Sequence, residues 1–116
     1  MNFSIVIPTW NRSELVDALL ESLYKERNRY EKGETEVLIV DSSQGEEQKS
    51  IVQSCEKYDA VYILGDDSVR KKRNLGIRSS KFDYILFIDS DVTVEPGLLD
   101  EYVEAYKNPY KVKLGG

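Results

Sequence analysis

The sequence predicts an open α/β domain whose sheet is mainly parallel and is flanked by helices. Four short runs are continuously apolar and rich in β-branched and aromatic residues, a pattern typical of strands buried on both faces. Between these runs, apolar residues recur at helical spacing. Because strand and helix patterns alternate four times, we expect right-handed crossovers within a single sheet. The four predicted strands are Ile5–Ile7, Val37–Val40, Val61–Leu64 and Tyr84–Ile88.

The first two helices are predicted from their start signals and their apolar stripes. Asn11 is predicted to cap the first helix, with Glu14 three residues later as its capping-box partner. The second helix is predicted from about residue 44 to residue 58, on a narrower stripe. The stripes consist of Leu15, Val16, Leu19, Leu20 and Leu23 in the first helix and of Ile51, Val52 and Cys55 in the second.

The third helix is predicted to start at a cap on Asp67 or Ser68 and to run through Arg78. The fourth helix is predicted to start with Pro96, because proline suits the first helical position. Residues 112–114 then indicate a further strand without continuation, so we expect a truncated domain. The predicted inward face of the fourth helix consists of Leu98, Leu99, Tyr102, Val103 and Tyr106.

Length and composition indicate one globular domain and exclude several classes of function. With 116 residues, the chain is long enough to bury one core but not two. A net charge of −5, without an isolated basic block, argues against nucleic acid as a partner. The chain has no histidine, which excludes His-based zinc sites and Ser-His-Asp triads. Any catalysis therefore has to depend on carboxylates, cations or a metal.

The cysteine content and the hydropathy pattern bear on the cellular compartment. Cys55 is the only cysteine, so an internal disulfide is impossible and a reducing compartment is favoured. No apolar run approaches the length that spans a bilayer. We therefore predict a cytoplasmic protein, and membrane association of a full-length form stays compatible with this prediction.

Each predicted strand leads into a cluster of polar residues. Because the carboxyl ends of parallel strands meet at one edge of a sheet, these clusters are expected to line a single acid-rich pocket. Ligands bind at this edge in open α/β sheets, where helix N-termini and loop amides converge. The clusters are Thr9, Asn11 and Arg12; Asp41, Ser42 and Ser43; Gly65, Asp66 and Asp67; and Asp89, Ser90 and Asp91.

Asp89 and Asp91 are the candidate metal ligands. In an extended segment their side chains point to one side while Ser90 faces away. Carboxylate oxygens suit Mg²⁺ and Mn²⁺, and a pair of them leaves coordination positions for phosphate oxygens. Since an acidic pocket repels a diphosphate, a cation of this kind is expected to mediate its binding.

Taken singly, these features have ordinary structural explanations. Asp41 suits a turn, and Trp10 suits partly buried packing. Lys72 and Arg73 suit the solvated face of a helix. The functional interpretation is favoured because the polar clusters occur together, at successive strand ends.

Four fragments together resemble family 2 glycosyltransferases. They follow one another in the order and spacing of that family, and the similarity runs over essentially the whole chain. The resemblance implies a GT-A fold with sheet order 3-2-1-4, in which a UDP- or GDP-sugar crosses the carboxyl edge together with Mn²⁺ or Mg²⁺. The fragments are Ser4–Arg12, Val37–Ser43, Arg73–Ile77 and Phe87–Asp91.

The resemblance also implies roles for individual residues. Asp41 matches the acid that reads the base or the ribose, and Arg73 matches an arginine on the nucleotide side. Asp89 and Asp91 match the two acids of the family's D-x-D motif, of which Asp91 is the usual metal ligand. The positions implied to bind the nucleotide are Pro8, Thr9, Asn11, Arg12, Asp41, Arg73 and Asp89.

The chain departs from the family pattern after its second strand. Asp-Ser-Ser at Asp41–Ser43 replaces the commoner Asp-Asp-Gly-Ser, so an acid usually near the nucleotide is a serine here. This difference leaves the nucleoside preference open. The family's catalytic base belongs to the acceptor-binding half, which is expected beyond residue 116.

Three functions are considered. The favoured one is that residues 1–116 form the nucleotide-sugar-binding portion of an inverting glycosyltransferase whose acceptor is unknown. The second is a module that binds a nucleotide or nucleotide-sugar without transfer, in which identical chains could associate through an exposed sheet edge. The third and most distant is a haloacid dehalogenase-type phosphatase, because Asp89–Thr93 also resembles the D-x-D-x-T motif of that class.

Overall fold

A computed structural model describes residues 1–107 as a four-stranded parallel sheet with helices on both faces. The strand order is β3-β2-β1-β4, which confirms the order implied by the resemblance. The strand predicted at residues 112–114 lies outside the described residues. The strands are β1 (Phe3–Thr9), β2 (Thr35–Asp41), β3 (Val61–Leu64) and β4 (Tyr84–Phe87), and the helices are α1 (Ser13–Arg29), α2 (Gly45–Lys57), α3 (Val69–Ser79) and α4 (Leu98–Lys107).

The two central strands are buried on both faces, as their continuous apolar sequences predict. Phe3, Ile5 and Ile7 belong to the larger part of the core, together with apolar residues of α1, α2 and α4. Val6 points to the opposite face and packs with residues of β2 and with Leu75 of α3. This alternation follows from the two-residue period of a strand. Because the strands themselves are mainly apolar, the polar groups lie where the strands end, at the carboxyl edge of the sheet.

The prediction of burial on both faces is wrong for the two outer strands. In β3, Val61 is 48% exposed and Leu64 is 63% exposed. In β4, Tyr84 and Phe87 are 40% and 42% exposed. Within residues 1–107, each of these strands pairs with one neighbour and lies at an edge of the sheet, where the flanking helices do not cover it fully. Ile88, predicted as the last residue of the fourth strand, lies just past the end of β4.

The predicted cap of the first helix is also wrong. Asn11 has a φ of +51°, in the left-handed region, and α1 starts at Ser13 with Arg12 as its N-cap residue. The N–H of Ser13 instead donates to Oε2 of Glu47, at 3.0 Å. Because Glu47 belongs to α2, the start of α1 is fixed by a neighbouring helix rather than by its own sequence.

The fourth helix starts at Leu98 and not at the predicted Pro96. Gly97 has a φ of +98°, which breaks the helical conformation just before this start. Leu99 and Val103 of the predicted inward face are buried, whereas Tyr106 is exposed and contacts the ring of Tyr84. The departure arises because tertiary contacts, described below, fix the helix start.

The second and third helices match their predictions closely. α2 occupies Gly45–Lys57, and Ile51 and Cys55 of its predicted stripe are buried. α3 starts after Ser68, whose Oγ accepts from the N–H of Lys71. None of the helices described in residues 1–107 is long and apolar enough to cross a membrane.

Candidate active site

The carboxyl ends of the strands open onto one cleft with a volume of about 920 Å³. Asp41 is the last residue of β2 and Asp89 follows the parallel strand β4, so both lie at this same border of the sheet, as predicted. All four predicted polar clusters contribute to the cleft. Its lining residues are Pro8, Thr9, Trp10, Asn11, Arg12, Ser42, Gln44, Asp67, Val69, Lys72, Asp89, Ser90 and Asp91.

Asp89 and Asp91 both line the cleft and are exposed, while Ser90 between them is buried. The segment was predicted to be extended, but Ser90 and Asp91 lie in a turn after the end of β4. Arg12 faces this pair from the end of β1, with its Nη1 at 3.7 Å from Oδ2 of Asp91. Because both partners are about half exposed, this ion pair is weak and can be displaced.

The donor set suits a divalent cation that binds together with a ligand. The two exposed carboxylates are hard oxygen donors of the kind that Mg²⁺ and Mn²⁺ prefer. Within residues 1–107, no group of three or more His, Cys, Asp or Glu side chains forms a metal cage. The protein would therefore supply a minority of the coordination positions, and oxygens of a bound phosphate or water would supply the rest.

Asp41 lies beneath the cleft and is fully buried, at 0% exposure. Its Oδ1 accepts from Oγ of Ser43, and its Oδ2 accepts from the hydroxyl of Tyr62, both at 2.7 Å. Ser43 Oγ also accepts from the N–H of Asn11, at 2.7 Å. Burial, and then the hydrogen bond to Asp41, raise the pKa of Tyr62 to about 12, so its hydroxyl remains a donor. Asp41 thus ties together the loops that follow β1 and β2.

Arg73 lies outside the residues that line the cleft. It is exposed on α3, with its guanidinium carbon 5.6 Å from the centre of the Phe87 ring. This contact is a cation–π interaction beside the exposed face of β4. The structure therefore does not bring Arg73 together with the other predicted site residues.

Lys72 is the cation of α3 that the structure places in the cleft. It is only 2% exposed, and its Nζ donates to the backbone oxygen of Thr9 at 2.9 Å. Burial lowers the pKa of Lys72, and the nearby acids, Asp41 first among them, act in the opposite direction. The interpretation of Lys72 as part of a solvated helix face is thus wrong.

The helical period explains why Lys72 and not Arg73 reaches the cleft. Lys72 and Gly76 are four residues apart and share the face of α3 that packs on the sheet. A Cβ on Gly76 would collide with the Cγ1 of Val6, so this face of the helix lies directly against β1. The glycine four residues after a lysine was the sequence signal that could have identified Lys72.

Sequence reasoning placed Thr9 and Ser42 at this edge, as the structure confirms, but it did not predict how exposed or how unpaired individual residues of the cleft are. Trp10, for which partly buried packing was the ordinary structural explanation, is 59% exposed at the rim of the cleft. Ser42 lines both the cleft and a smaller adjoining cavity of about 300 Å³. The side-chain oxygens of Thr9 and Ser42 are buried without a hydrogen-bond partner among the described residues. A single sequence carries no signal for such unpaired groups, because they depend on contacts between distant segments.

An open parallel sheet with a polar cleft at its carboxyl edge defines an α/β domain that binds a ligand at this edge. The chain belongs to glycosyl transferase family 2, whose model it matches over residues 4–116. It is 32% identical over 107 residues to a chondroitin synthase from Pasteurella multocida. That alignment covers 89% of this chain and 11% of the relative.

Solved structures of glycosyltransferases share the fold. The S. aureus TarS 1–349 structure in complex with UDP-GlcNAc superposes with a TM-score of 0.73 at 26% identity, over 92% of this chain and 31% of that chain. A mannosyltransferase from Pyrobaculum calidifontis, in complex with GDP-Man and Mn²⁺, superposes with a TM-score of 0.68. Its identity is 19%, with 97% of this chain and 33% of that chain covered, so it shows the fold alone. The GT-A fold implied by the sequence is confirmed.

The chain spans only a part of these proteins. It covers 35% of an uncharacterized glycosyltransferase from Haemophilus influenzae, to which it is 31% identical. The fold and the family are therefore established for this chain, whereas its donor, its metal and its acceptor are matters for proposal.

Proposed function

We propose that residues 1–116 form the nucleotide-sugar-binding portion of an inverting glycosyltransferase. The observation that carries this proposal is the pair of exposed acids, Asp89 and Asp91, in a cleft that polar groups from all four strand ends line. Membership of glycosyl transferase family 2 supports it. The cleft is also large enough for a small ligand, at about 920 Å³.

The proposed donor is a UDP- or GDP-sugar that lies along the carboxyl edge of the sheet. Its diphosphate would be placed beside Asp89 and Asp91, and its nucleoside would extend over the ends of β1 and β2. The complex of TarS with UDP-GlcNAc supports a ligand of this class. Pro8, Thr9, Asn11 and Arg12 would form the surface beneath the nucleotide.

Asp89 and Asp91 would hold Mn²⁺ or Mg²⁺, because their carboxylates are exposed hard donors that lie two residues apart on one loop of the cleft. When bound, such a cation neutralises charge on the departing nucleoside diphosphate. Arg12 contributes positive charge next to Asp91 and would orient the same phosphates once the weak ion pair opens. The protein's own task is to fix these charges before the ligand arrives.

The proposed reaction is a direct displacement at the anomeric carbon. The oxygen of an acceptor hydroxyl attacks this carbon while the bond between the carbon and the diphosphate oxygen breaks, so the configuration inverts. The nucleoside diphosphate leaves, and the proton of the hydroxyl passes to a general base. We assign no catalytic base within residues 1–107, and the described residues account for donor binding alone. The family match leaves the phosphatase alternative without support, whereas binding without transfer remains a second candidate for this chain.

The decisive experiment is calorimetric titration of UDP and GDP with and without Mn²⁺. We expect binding of at least one nucleotide that depends on Mn²⁺, and only weak binding of Mn²⁺ alone, since two carboxylates do not form a complete metal site. Asp91→Ala should weaken the metal-dependent binding by at least about tenfold, or about 1.4 kcal/mol.

Glu95→Ala is the matched control, because it removes an equal charge from an exposed residue outside the cleft. It should leave nucleotide binding unchanged. Absence of nucleotide binding in the unmodified chain would contradict the proposal, and tight binding without metal would contradict the role of Asp89 and Asp91. Release of UDP from UDP-GlcNAc by this chain would show turnover, and its absence would favour binding without transfer.

A further inference from the structure

The two acids of the cleft lie on a loop that connects β4 to α4. Residues 88–97 of this loop contain neither strand nor helix, so no regular hydrogen-bond pattern fixes the position of Asp89 and Asp91. Most residues of the loop, including both acids, are exposed. Because ordering such a segment costs conformational entropy, contacts from the rest of the fold have to hold its carboxylates in one arrangement.

The start of the loop is held by the sheet. The N–H of Ile88 donates to the backbone oxygen of Val6 in β1 at 3.1 Å, and Ser90 is buried. This contact continues the pairing of β4 with β1 by one residue. It fixes the backbone just before Asp89, but it does not determine the path of the chain after Asp91.

Ser22 of α1 holds the middle of the loop. Its Oγ accepts from the N–H of Val94 at 2.9 Å and donates to the backbone oxygen of Leu19 at 2.8 Å. The hydrogen of the hydroxyl is thus engaged within the helix, which leaves its lone pairs for the loop. Val94 is partly buried against the larger part of the core, so the chain returns to the protein three residues after Asp91.

Glu26 of α1 holds the end of the loop. Its carboxylate accepts from the N–H groups of Gly97 and Leu99, at 3.0 Å and 2.9 Å. The side chain is 1% exposed, and both of its oxygens also accept from Arg29, which keeps the carboxylate in one orientation. Because Ser22 and Glu26 lie four residues apart, they share one face of α1 and contact successive parts of the loop.

We propose that Ser22 and Glu26 are positioning residues, which hold this loop so that Asp89 and Asp91 face the cleft in the arrangement that binds a metal-bound diphosphate. This inference rests on the proposed function. Neither Ser22 nor Glu26 lines the cleft, so both act through the loop. Two carboxylates supply a minority of the ligands around a divalent cation, and a poorly held pair loses affinity because binding then has to order the loop.

The test measures the Kd of UDP and of GDP by calorimetry in the presence of Mn²⁺. Ser22→Ala removes the acceptor for Val94 and should weaken metal-dependent nucleotide binding by about threefold to tenfold. Glu26→Gln removes the charge that holds the end of the loop and should weaken it by at least about tenfold. Ser22→Thr keeps the hydroxyl and should retain the Kd of the unmodified chain within about twofold.

Ser54→Ala is the matched control, because it removes a hydroxyl of α2 that donates to Asp17 of α1 at 2.8 Å, outside the contacts of the loop. It should leave the Kd unchanged even where its melting temperature falls as far as that of Ser22→Ala. A merely structural role of Ser22 and Glu26 would lower the fraction of chain that binds, which calorimetry records as a lower stoichiometry at an unchanged Kd. Ser22→Ala keeps the test valid where Glu26→Gln does not fold.

The outcomes also separate this inference from the proposed function. If the unmodified chain binds UDP or GDP with Mn²⁺ and Ser22→Ala binds equally well, the positioning role is wrong while nucleotide binding stands. An equal loss of affinity in Ser22→Thr or in Ser54→Ala would overturn the inference as well. If the unmodified chain binds neither nucleotide, the proposed function fails and the inference fails with it.

Discussion

At the scale of single residues, the same types of side chain take different tasks according to burial. Asp41 ends β2 and Asp89 follows β4, both at the carboxyl edge, yet Asp41 is buried with a hydrogen bond to each carboxylate oxygen while Asp89 is exposed in the cleft. A carboxylate that already accepts from two hydroxyls organises the loops around it. An exposed carboxylate keeps its lone pairs for a cation.

Tyr62→Phe tests the organising role of Asp41. The change removes one of the two hydroxyl donors to a buried carboxylate, so the free energy of unfolding should fall by about 1–2 kcal/mol. Urea unfolding monitored by circular dichroism measures this loss. Tyr106→Phe, at an exposed residue of α4, is the control and should leave the urea midpoint unchanged. Equal midpoints for both variants would show that Asp41 does not need this hydrogen bond.

At the scale of elements, two helices are positioned by contacts that their own sequences do not reveal. The start of α4 is held by Glu26 of α1, whose carboxylate accepts from the N–H of Gly97 at 3.0 Å and from that of Leu99 at 2.9 Å. Arg29 pairs with the same carboxylate and also with Asp100 of α4. An acid at a helix start is favourable because it satisfies unpaired N–H groups and faces the positive end of the helix dipole.

This contact makes part of the stability depend on pH. Burial acts to raise the pKa of Glu26, but hydrogen bonds from Arg29, Gly97 and Leu99 outweigh it, and the pKa lies below the ordinary value of 4.5. The carboxylate therefore stabilises the fold above about pH 4.5, and this contribution is lost as the pH falls through the folded-state pKa.

Glu26→Gln should lower the free energy of unfolding by about 1.5–3 kcal/mol at pH 7, because charge-assisted hydrogen bonds are lost. The difference between the variant and the unmodified chain should shrink as the solution is acidified below about pH 4.5. Urea unfolding at a series of pH values measures the loss at pH 7 and its decrease in acid. Glu21→Gln, at an exposed position of the same helix, serves as control. A difference that stays constant down to low pH would contradict the assignment.

The position of α3 depends on a glycine at its contact with β1. Alanine is the better helix former by about 1 kcal/mol, but a Cβ on Gly76 would collide with Val6. Gly76→Ala should therefore destabilise the fold by about 1–3 kcal/mol and weaken nucleotide binding, since Lys72 lies one turn away on the same face.

Val6→Ala in combination with Gly76→Ala separates the collision from other effects. Each single change should be destabilising, whereas the double variant should be more stable than the sum of the two predicts. Chemical unfolding of all four forms gives the coupling free energy. Additive losses would show that α3 moves away from β1 without contact strain.

At the scale of the whole molecule, the sheet formed by the described part of the chain has two outer strands with exposed apolar side chains. On β4, the exposed ring of Tyr84 lies with its centroid 5.0 Å from that of Tyr106, and Phe87 is exposed on the other face of the strand, next to Arg73. Among residues 1–107, β4 is an edge strand, and an edge strand that carries exposed aromatic side chains is prone to pair with another chain. We therefore expect the 116-residue chain to self-associate through β4 at high concentration.

Phe87→Lys should reduce this association, which sedimentation velocity at increasing concentration measures. Leu64→Lys on the opposite outer strand, β3, introduces the same charge at a residue that is 63% exposed and should leave the association unchanged. A monomer at all concentrations, or an equal effect of the two changes, would contradict association through β4.

The sequence alone determined the alternation of strands and helices, because continuous apolar runs and helical stripes are local patterns. Polar clusters after each strand predicted the shared edge, since parallel strands place their carboxyl ends on one side. The order of the strands came from the resemblance to a family. Asp89 and Asp91 were identified from their position after a strand and from the resemblance to the family. Both lie in the cleft.

Only the tertiary structure decided which polar residues reach the cleft. Trp10 is exposed, and Asp41 is buried with hydroxyl donors on its carboxylate. Lys72 lies in the cleft, whereas Arg73 lies outside it against Phe87. The starts of α1 and α4 also differ from the predicted ones, because Glu47 and Glu26 of other helices accept hydrogen bonds from the N–H groups there. The reason is that burial and capping arise from segments far apart in sequence, whose packing no local pattern encodes.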